Sequence, residues 1–312
     1  MKKKVLITGA LGQDGIILSK ILLKNKYKVI GLIKKKNYKF KLKKVKYLSV
    51  NLGNKKKLES KLLKINPDFI VHFGSGNPSF IEREKNIIDF KKEIINSYNL
   101  INASRKLKIQ PIFIFTNSSK IFKKIKNKKK LTERDQIIKN NKYASFRINV
   151  YNYLILLKKK YNFPFVNLIL FNHDSSLRNK KFLLPRIINA FLKKNLIFIK
   201  NIYQQNIIED FSHAEDICQG IFLVIKKKLT IDKLILSSGK PTKVNSLIKY
   251  LFKINNINFP FKKIKIKKTN YLFGSNCLAK KLIDWKIKKN IFDAIKEMYI
   301  SYNQKYNKSL SK

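Results

Sequence analysis

Residues 1–15 read MKKKVLITGALGQDG, and this opening decides the fold. Val5, Leu6 and Ile7 form a short apolar run suited to a buried parallel strand. Gly9, Gly12 and Gly15 follow at three-residue spacing, and Ile16, Ile17, Ile21, Leu22 and Leu23 then repeat as the apolar face of a helix. In a strand, glycine turn and helix N-terminus, the backbone can approach a pyrophosphate while unpaired N–H groups and the helix dipole favour its charge. A second strand, KVIGLI at 28–33, completes the unit that the glycine motif requires. The reading is a dinucleotide site at Gly9, Gly12, Gln13, Asp14 and Gly15, with Asp14 as a helix cap. A carboxylate at the end of the second strand would hold a ribose 2′-hydroxyl. No Asp or Glu occurs between Asp14 and Glu59, and the strand ends in Lys34, Lys35 and Lys36. A cationic cluster there suits the 2′-phosphate of NADP; NAD remains the alternative.

The rest of the chain extends the pattern. Apolar strand-like runs at 5–7, 28–33, 45–50, 69–73, 111–115 and 165–171 alternate with helical stretches at 15–25, 55–64, 84–107 and 143–161. That alternation is expected of an α/β Rossmann-type doubly wound parallel sheet. The rhythm changes past Asn172, which suggests a smaller C-terminal substrate lobe. The expected division is a dinucleotide-binding domain over 1–171, with 206–225 returning to it, and a lobe made of 172–205 and 226–312. Trp285 and the aromatics around it would be core of that lobe. His72, at the end of an apolar strand, reads as a satisfied core or rim histidine.

The 312 residues are enough for a full core, and 44% are hydrophobic, as in an ordinary globular protein. No apolar run approaches the roughly 18 residues of a membrane span, and no apolar h-region follows the lysine-rich start. The two cysteines, Cys218 and Cys277, have neither metal-ligand nor disulfide-framework spacing, so a reduced, cytoplasmic, metal-free protein is expected. Net charge is +52, with 70 Lys and Arg against 18 Asp and Glu. Its lysines are spread along the chain, and the over-used residues Lys, Asn, Ile and Phe have A/T-rich codons. The charge therefore reads as compositional drift with weak, salt-sensitive nucleic-acid adhesion and no specific nucleic-acid or membrane partner.

Tyr143 and Arg147 stand four apart at the start of a helical stretch and share a face. A fixed cation beside a phenol favours the phenolate, which can take a proton from a sugar hydroxyl while hydride leaves for a nicotinamide. Ser118 and Ser119 follow the strand IFIF at 112–115, placing hydroxyls where α/β sites form.

These residues resemble an extended short-chain dehydrogenase/reductase of the nucleotide-sugar epimerase/dehydratase group, and within it the GDP-mannose 4,6-dehydratase family. The likeness is carried by TGALGQDG at 8–15, LFNHDS at 170–175, EDFSHAED at 209–216, and Phe273-Gly274 followed by LIDW at 282–285. It implies that Ser118 and Ser119 meet the sugar, Ser118 at its 4-hydroxyl, and that Tyr143 is the acid/base. Arg147 would hold the cofactor ribose, Asn51 and Leu52 border the adenine, and Phe73, Gly74 and Ser75 meet the diphosphate and ribose. His173 would lie by the nicotinamide, and Asn172, Arg178 and Arg186 would face the nucleotide-sugar, GDP-mannose foremost. His213 is expected in packing or backbone roles around the same site. The resemblance also implies a homodimer or homotetramer built on helices near 84–107 and 143–161. Four positions depart from the family pattern. Lys120 replaces a catalytic Glu, Arg147 a Lys, Asn51 an Asp, and Glu209 an Arg near the substrate diphosphate. Three readings stay open: a 4,6-dehydratase, in which Lys120 would do the work of the Glu; an epimerase or keto-reductase; and a non-catalytic nucleotide binder.

Overall fold

The glycine turn sits at the end of β1 (Lys4–Thr8), an interior strand of a seven-stranded parallel sheet. The computed structural model describes residues 2–34, 41–74, 76, 82, 88–126, 128–261, 264–268 and 270–310. With β2 (Lys28–Ile33), β3 (Lys46–Ser49), β4 (Phe69–His72), β5 (Ile112–Ser118), β6 (Phe165–Leu170) and β9 (Ile231–Leu236), the order is β3-β2-β1-β4-β5-β6-β9. Strand order reverses between β1 and β4, which opens a crevice at their carboxyl ends.

The strands are apolar throughout because both faces are covered. Val5 and Ile7 face one layer, where α1 (Gln13–Lys24) packs with Leu18 and Leu22. Leu6 faces the other, formed by α2 (Lys55–Ile65), α3 (Phe90–Arg105) and α4 (Lys142–Tyr161), with Leu62, Leu100, Phe146 and Leu154 buried against it. Asn141 caps α4 by accepting the Ala144 N–H at 2.9 Å, which sets Tyr143 in the first turn.

A second, smaller sheet is built on β8 (Ile208–His213). It pairs in parallel with β7 (Asn172–Asp174) and β11 (Tyr271–Leu272), and antiparallel with β10 (Pro241–Lys243). Helices α5 (Leu183–Leu192), α6 (Leu196–Gln204), α8 (Val244–Lys253) and α9 (Ile291–Leu310) enclose a separate apolar cluster around Ile187, Ile199, Ile248 and Met298.

Three expectations change here. In 206–225, strand β8 belongs to the small sheet, and only α7 (Ala214–Lys227) packs on the main one. Residues 226–312 are not all lobe, because Ile231–Leu236 is the edge strand β9 beside β6. The N–H of Ile235 is taken by Glu133 Oε1 at 2.8 Å, so a distant side chain partners this edge strand. Trp285 is fully buried in the main-sheet cluster, its indole N–H donating to Asp216 O at 2.9 Å. A Cβ on Gly220 of α7 would fall 3.1 Å from the same indole nitrogen, a closeness that local pattern could not reveal.

Candidate functional site

Two cavities lie along the carboxyl ends of the main-sheet strands. The first, about 780 Å3, is formed by Gly9, Gly12, Lys34, Asn51, Leu52 and Gly74 among others. Gly9 has φ +68°, which favours glycine. A Cβ on Gly15 would fall 2.5 Å from Gly9 O and 2.6 Å from Ala10 Cα, so the helix can start this close to the turn only without a side chain. Gly12 is the N-cap of α1 and offers no side-chain acceptor, leaving the first-turn amides open to an anion. This cradle fits a dinucleotide pyrophosphate. Thr8 Oγ1 accepts the Gly74 N–H at 2.8 Å and meets His72 Nδ1 at 2.7 Å, tying the ends of β1 and β4 together. His72 is a satisfied core histidine whose pKa is lowered to about 3, first by burial and then by the charge of Arg147.

Asp14 is not a cap. It lies in the first turn of α1, and its carboxylate is 3.1 Å from His173 Nε2. Burial would raise its pKa, but His173 and then Arg178 hold it at about 2. Gln13 lines neither cavity; its amide reaches His173 O at 3.2 Å and accepts from Ser175 Oγ at 3.0 Å. The glycine turn is thereby fastened to the segment after β6. Lys35 and Ser75 lie outside the described residues. Asp89, Glu93 and Asn96, from the start of α3, also line the first cavity, and the sequence reading missed them. Glu93 accepts the Gly76 N–H at 3.0 Å and lies 3.8 Å from Lys34 Nζ. Only the packing of α3 beside the crevice brings this carboxylate near Lys34.

The second cavity, about 700 Å3, gathers Ser118, Ser119, Lys120, Tyr143, Arg147, Asn172, His173, Arg178 and Arg186. The carboxyl end of β5 supplies Ser118, whose Oγ accepts the Lys120 N–H at 3.3 Å. Tyr143 is buried against Phe90 and Phe146. The Arg147 guanidinium stacks 5.0 Å from the Tyr143 ring centroid and donates to Thr116 O at 2.7 Å. Arg147 Nε and Asn117 Nδ2 are buried with no hydrogen-bond partner among the described residues. Arg178 pairs with Asp174 at 3.1 Å and stacks on Phe182, while Arg186 stacks on Phe198. Burial pushes the Asp174 carboxyl up, with Arg178 opposing.

Glu209 enters this cavity from β8. Burial would raise its pKa, yet Lys120 and Lys124, each at 2.7 Å, hold it down to about 2. Lys124 and Asn117 were not anticipated. Asn117 had an available signal, since it directly precedes Ser118, whereas Lys124 reaches the cavity only through the turn that follows β5. His213 lines neither cavity. It caps α7 by accepting the Glu215 N–H and meets Glu297 at 3.1 Å. No group of three His, Cys, Asp or Glu side chains that could hold a metal occurs among the described residues.

A family model described as GDP-mannose 4,6 dehydratase matches residues 6–298. The GDP-mannose 4,6 dehydratase of Dictyostelium discoideum is 24% identical over 359 residues, covering 98% of this chain and 99% of its own. The UDP-glucose 4-epimerase of Mycoplasma genitalium is also 24% identical, over 98% of each chain. Among solved structures, dTDP-glucose 4,6-dehydratase from Bacillus anthracis in complex with NAD has a TM-score of 0.81 at 14% identity over 97% of each chain. UDP-glucose 4-epimerase from Thermotoga maritima with UDP-glucose has a TM-score of 0.81 at 17% identity, over 97% of this chain and 99% of its own. At these identities the solved structures establish the shared fold.

Proposed function

The chain belongs to the GDP-mannose 4,6-dehydratase family, among the nucleotide-sugar dehydratases and epimerases, and on that premise we propose that it acts at C4 of a nucleotide sugar with NADP as cofactor. GDP-mannose is the first substrate to consider. One observation carries the reading: Ser118, Tyr143 and Arg147 face a single cavity, and Phe73 lines it while Gly74 lines the glycine cleft next door.

In this proposal Gly9, Gly12 and the first-turn amides of α1 hold the cofactor pyrophosphate, Asn51 and Leu52 flank the adenine, and Lys34, with Lys35 beside it in sequence, meets the 2′-phosphate. When bound, the nicotinamide supplies reversible hydride acceptance. Tyr143 takes the proton from the 4-hydroxyl and returns it, and Ser118 holds the same oxygen. Arg147 orients the Tyr143 ring by stacking on it. Arg178 and Arg186 supply cations for the substrate diphosphate. Exposed Ile95 (56%) and Leu156 (55%), on α3 and α4, support a homodimer through these helices. The two free thiols, Cys218 and Cys277, suit a reducing cytoplasm, and no helix among the described residues is long and apolar enough to cross a membrane.

Complete 4,6-dehydration is the second reading, favoured by the dehydratase family match across 6–298. Incubation with GDP-mannose and NADP, followed by mass spectrometry and NMR of the sugar, separates the two. The C4 reading expects a product altered at C4 that keeps every oxygen. Loss of one water would establish the dehydratase, and an unchanged sugar would leave a non-catalytic binder.

A further inference from the structure

Lys120 and Glu209, 89 positions apart in sequence and both places where the sequence departs from the pattern it resembles, meet in the second cavity. Lys120 Nζ lies 2.7 Å from Glu209 Oε2, Lys124 Nζ lies 2.7 Å from Oε1, and Asn172 Nδ2 donates to Oε2 at 2.8 Å. We propose that Lys120 and Glu209 are a charge-exchanged pair, which keeps the pair neutral while placing its carboxylate away from the sugar and so stops the reaction at C4. The proposal rests on the C4 reading above.

Both Glu209 oxygens are engaged by charged or amide donors. The Glu209 side chain is only 8% exposed, against 27% for Lys120 and 43% for Lys124, so the cavity's contents meet the ammonium groups rather than the carboxylate. Position 120, in contrast, is on the turn that begins at Ser118, within reach of whatever Ser118 and Tyr143 hold. Removing Glu209 alone would leave Lys120 and Lys124 without their shared counter-charge, and a carboxylate at position 120 alone would stand beside that of Glu209, so either single change is unfavourable. Exchange of both together avoids that cost. Loss of water across C5 and C6 breaks a C5–H and a C6–O bond, and one carboxylate can take the C5 proton and pass it to the leaving hydroxyl. The hydrogen removed from C4 then ends at C6, and a solvent proton restores C5. An ammonium at position 120, already paired, does not serve as the first acceptor.

The test is a swap. K120E, E209R and K120E/E209R are compared by urea denaturation and by the products formed from GDP-mannose with NADP. Each single change is expected to lower the denaturation midpoint, and the double change to recover most of that loss, with Lys124 free to turn outward. Wild type is expected to give only C4 products, and the double variant to form a product lighter by one water. If the double variant does not fold, K120E/E209Q carries the same carboxylate at position 120 and is read for water loss. Additive midpoint losses would overturn the pairing. Water loss by wild type, or none from a folded, C4-active variant carrying Glu at 120, would overturn its control of the outcome. If neither wild type nor any variant alters the sugar, the C4 reading fails and control of the outcome falls with it, while the denaturation cycle still decides the pairing.

Discussion

The two cavities are built on different principles. The glycine turn of the first cavity is built of backbone from residues close together in sequence, and its geometry follows from absent side chains at Gly9 and Gly15. The second cavity is made of side chains from β5, α4, the β6–β7 junction, α5, α6 and β8, and its character depends on which charges meet. A backbone site tolerates drift in composition, because a turn needs only its glycines. A side-chain site depends on charges brought together from distant strands, as the Lys120–Glu209 pair illustrates.

If this division is right, variants should affect one region without the other. Tyr143→Phe should cost most, lowering C4 turnover by about 10²–10⁴-fold while NADP affinity stays unchanged. Parallel loss of NADP binding in a titration would show that the two regions are not separable. Gly15→Ala should abolish NADP binding and destabilise the fold by roughly 1–3 kcal/mol, since its Cβ meets backbone that cannot retreat. Undiminished NADP affinity there would remove the glycine turn from the cofactor site.

A smaller effect separates neighbours within β8. Burial raises the Asp210 carboxyl to about 7, against backbone N–H donors at Ser238 and Gly239, whereas adjacent Glu209 is held at about 2. The stability contributed by Asp210 is complete below its ordinary 3.8 and is lost as pH rises through 7. Glu209 has the opposite sign, complete above 4.5 and lost as pH falls towards 2. Asp210→Asn should therefore flatten the fall in urea stability between about pH 4 and about pH 7; an unchanged slope would mean another group titrates. The smallest effect belongs to Lys34→Glu, which should lower NADP affinity relative to NAD by roughly tenfold or less, because a side chain 77% exposed is strongly screened. An unchanged ratio would remove Lys34 from cofactor choice.

Legibility in the sequence followed the range of the interactions involved. The strand–turn–helix of 4–24 was readable because a continuous apolar run, three glycines and a helical stripe are local signals. Ser118, Tyr143 and Arg147 were readable because strand-end placement and four-residue spacing locate them. The edge strand β9 was not, since its first three residues are only half-buried and its partner β6 ends 61 positions earlier. Asp14 resembled a cap because capping is the usual local role of such a residue, whereas its partner His173 is supplied from another strand.

The sequence alone determined the Rossmann-type sheet, the glycine cradle and the strand-end and helix-start placement of Ser118, Tyr143 and Arg147, since apolar periodicity and glycine sterics act within a few residues. Only the tertiary structure decided that Lys120 and Glu209 are partners, that Glu93 stands near Lys34, and that Trp285 belongs to the main-sheet core. Charge pairing and packing act through space, across strands whose neighbours no local pattern specifies.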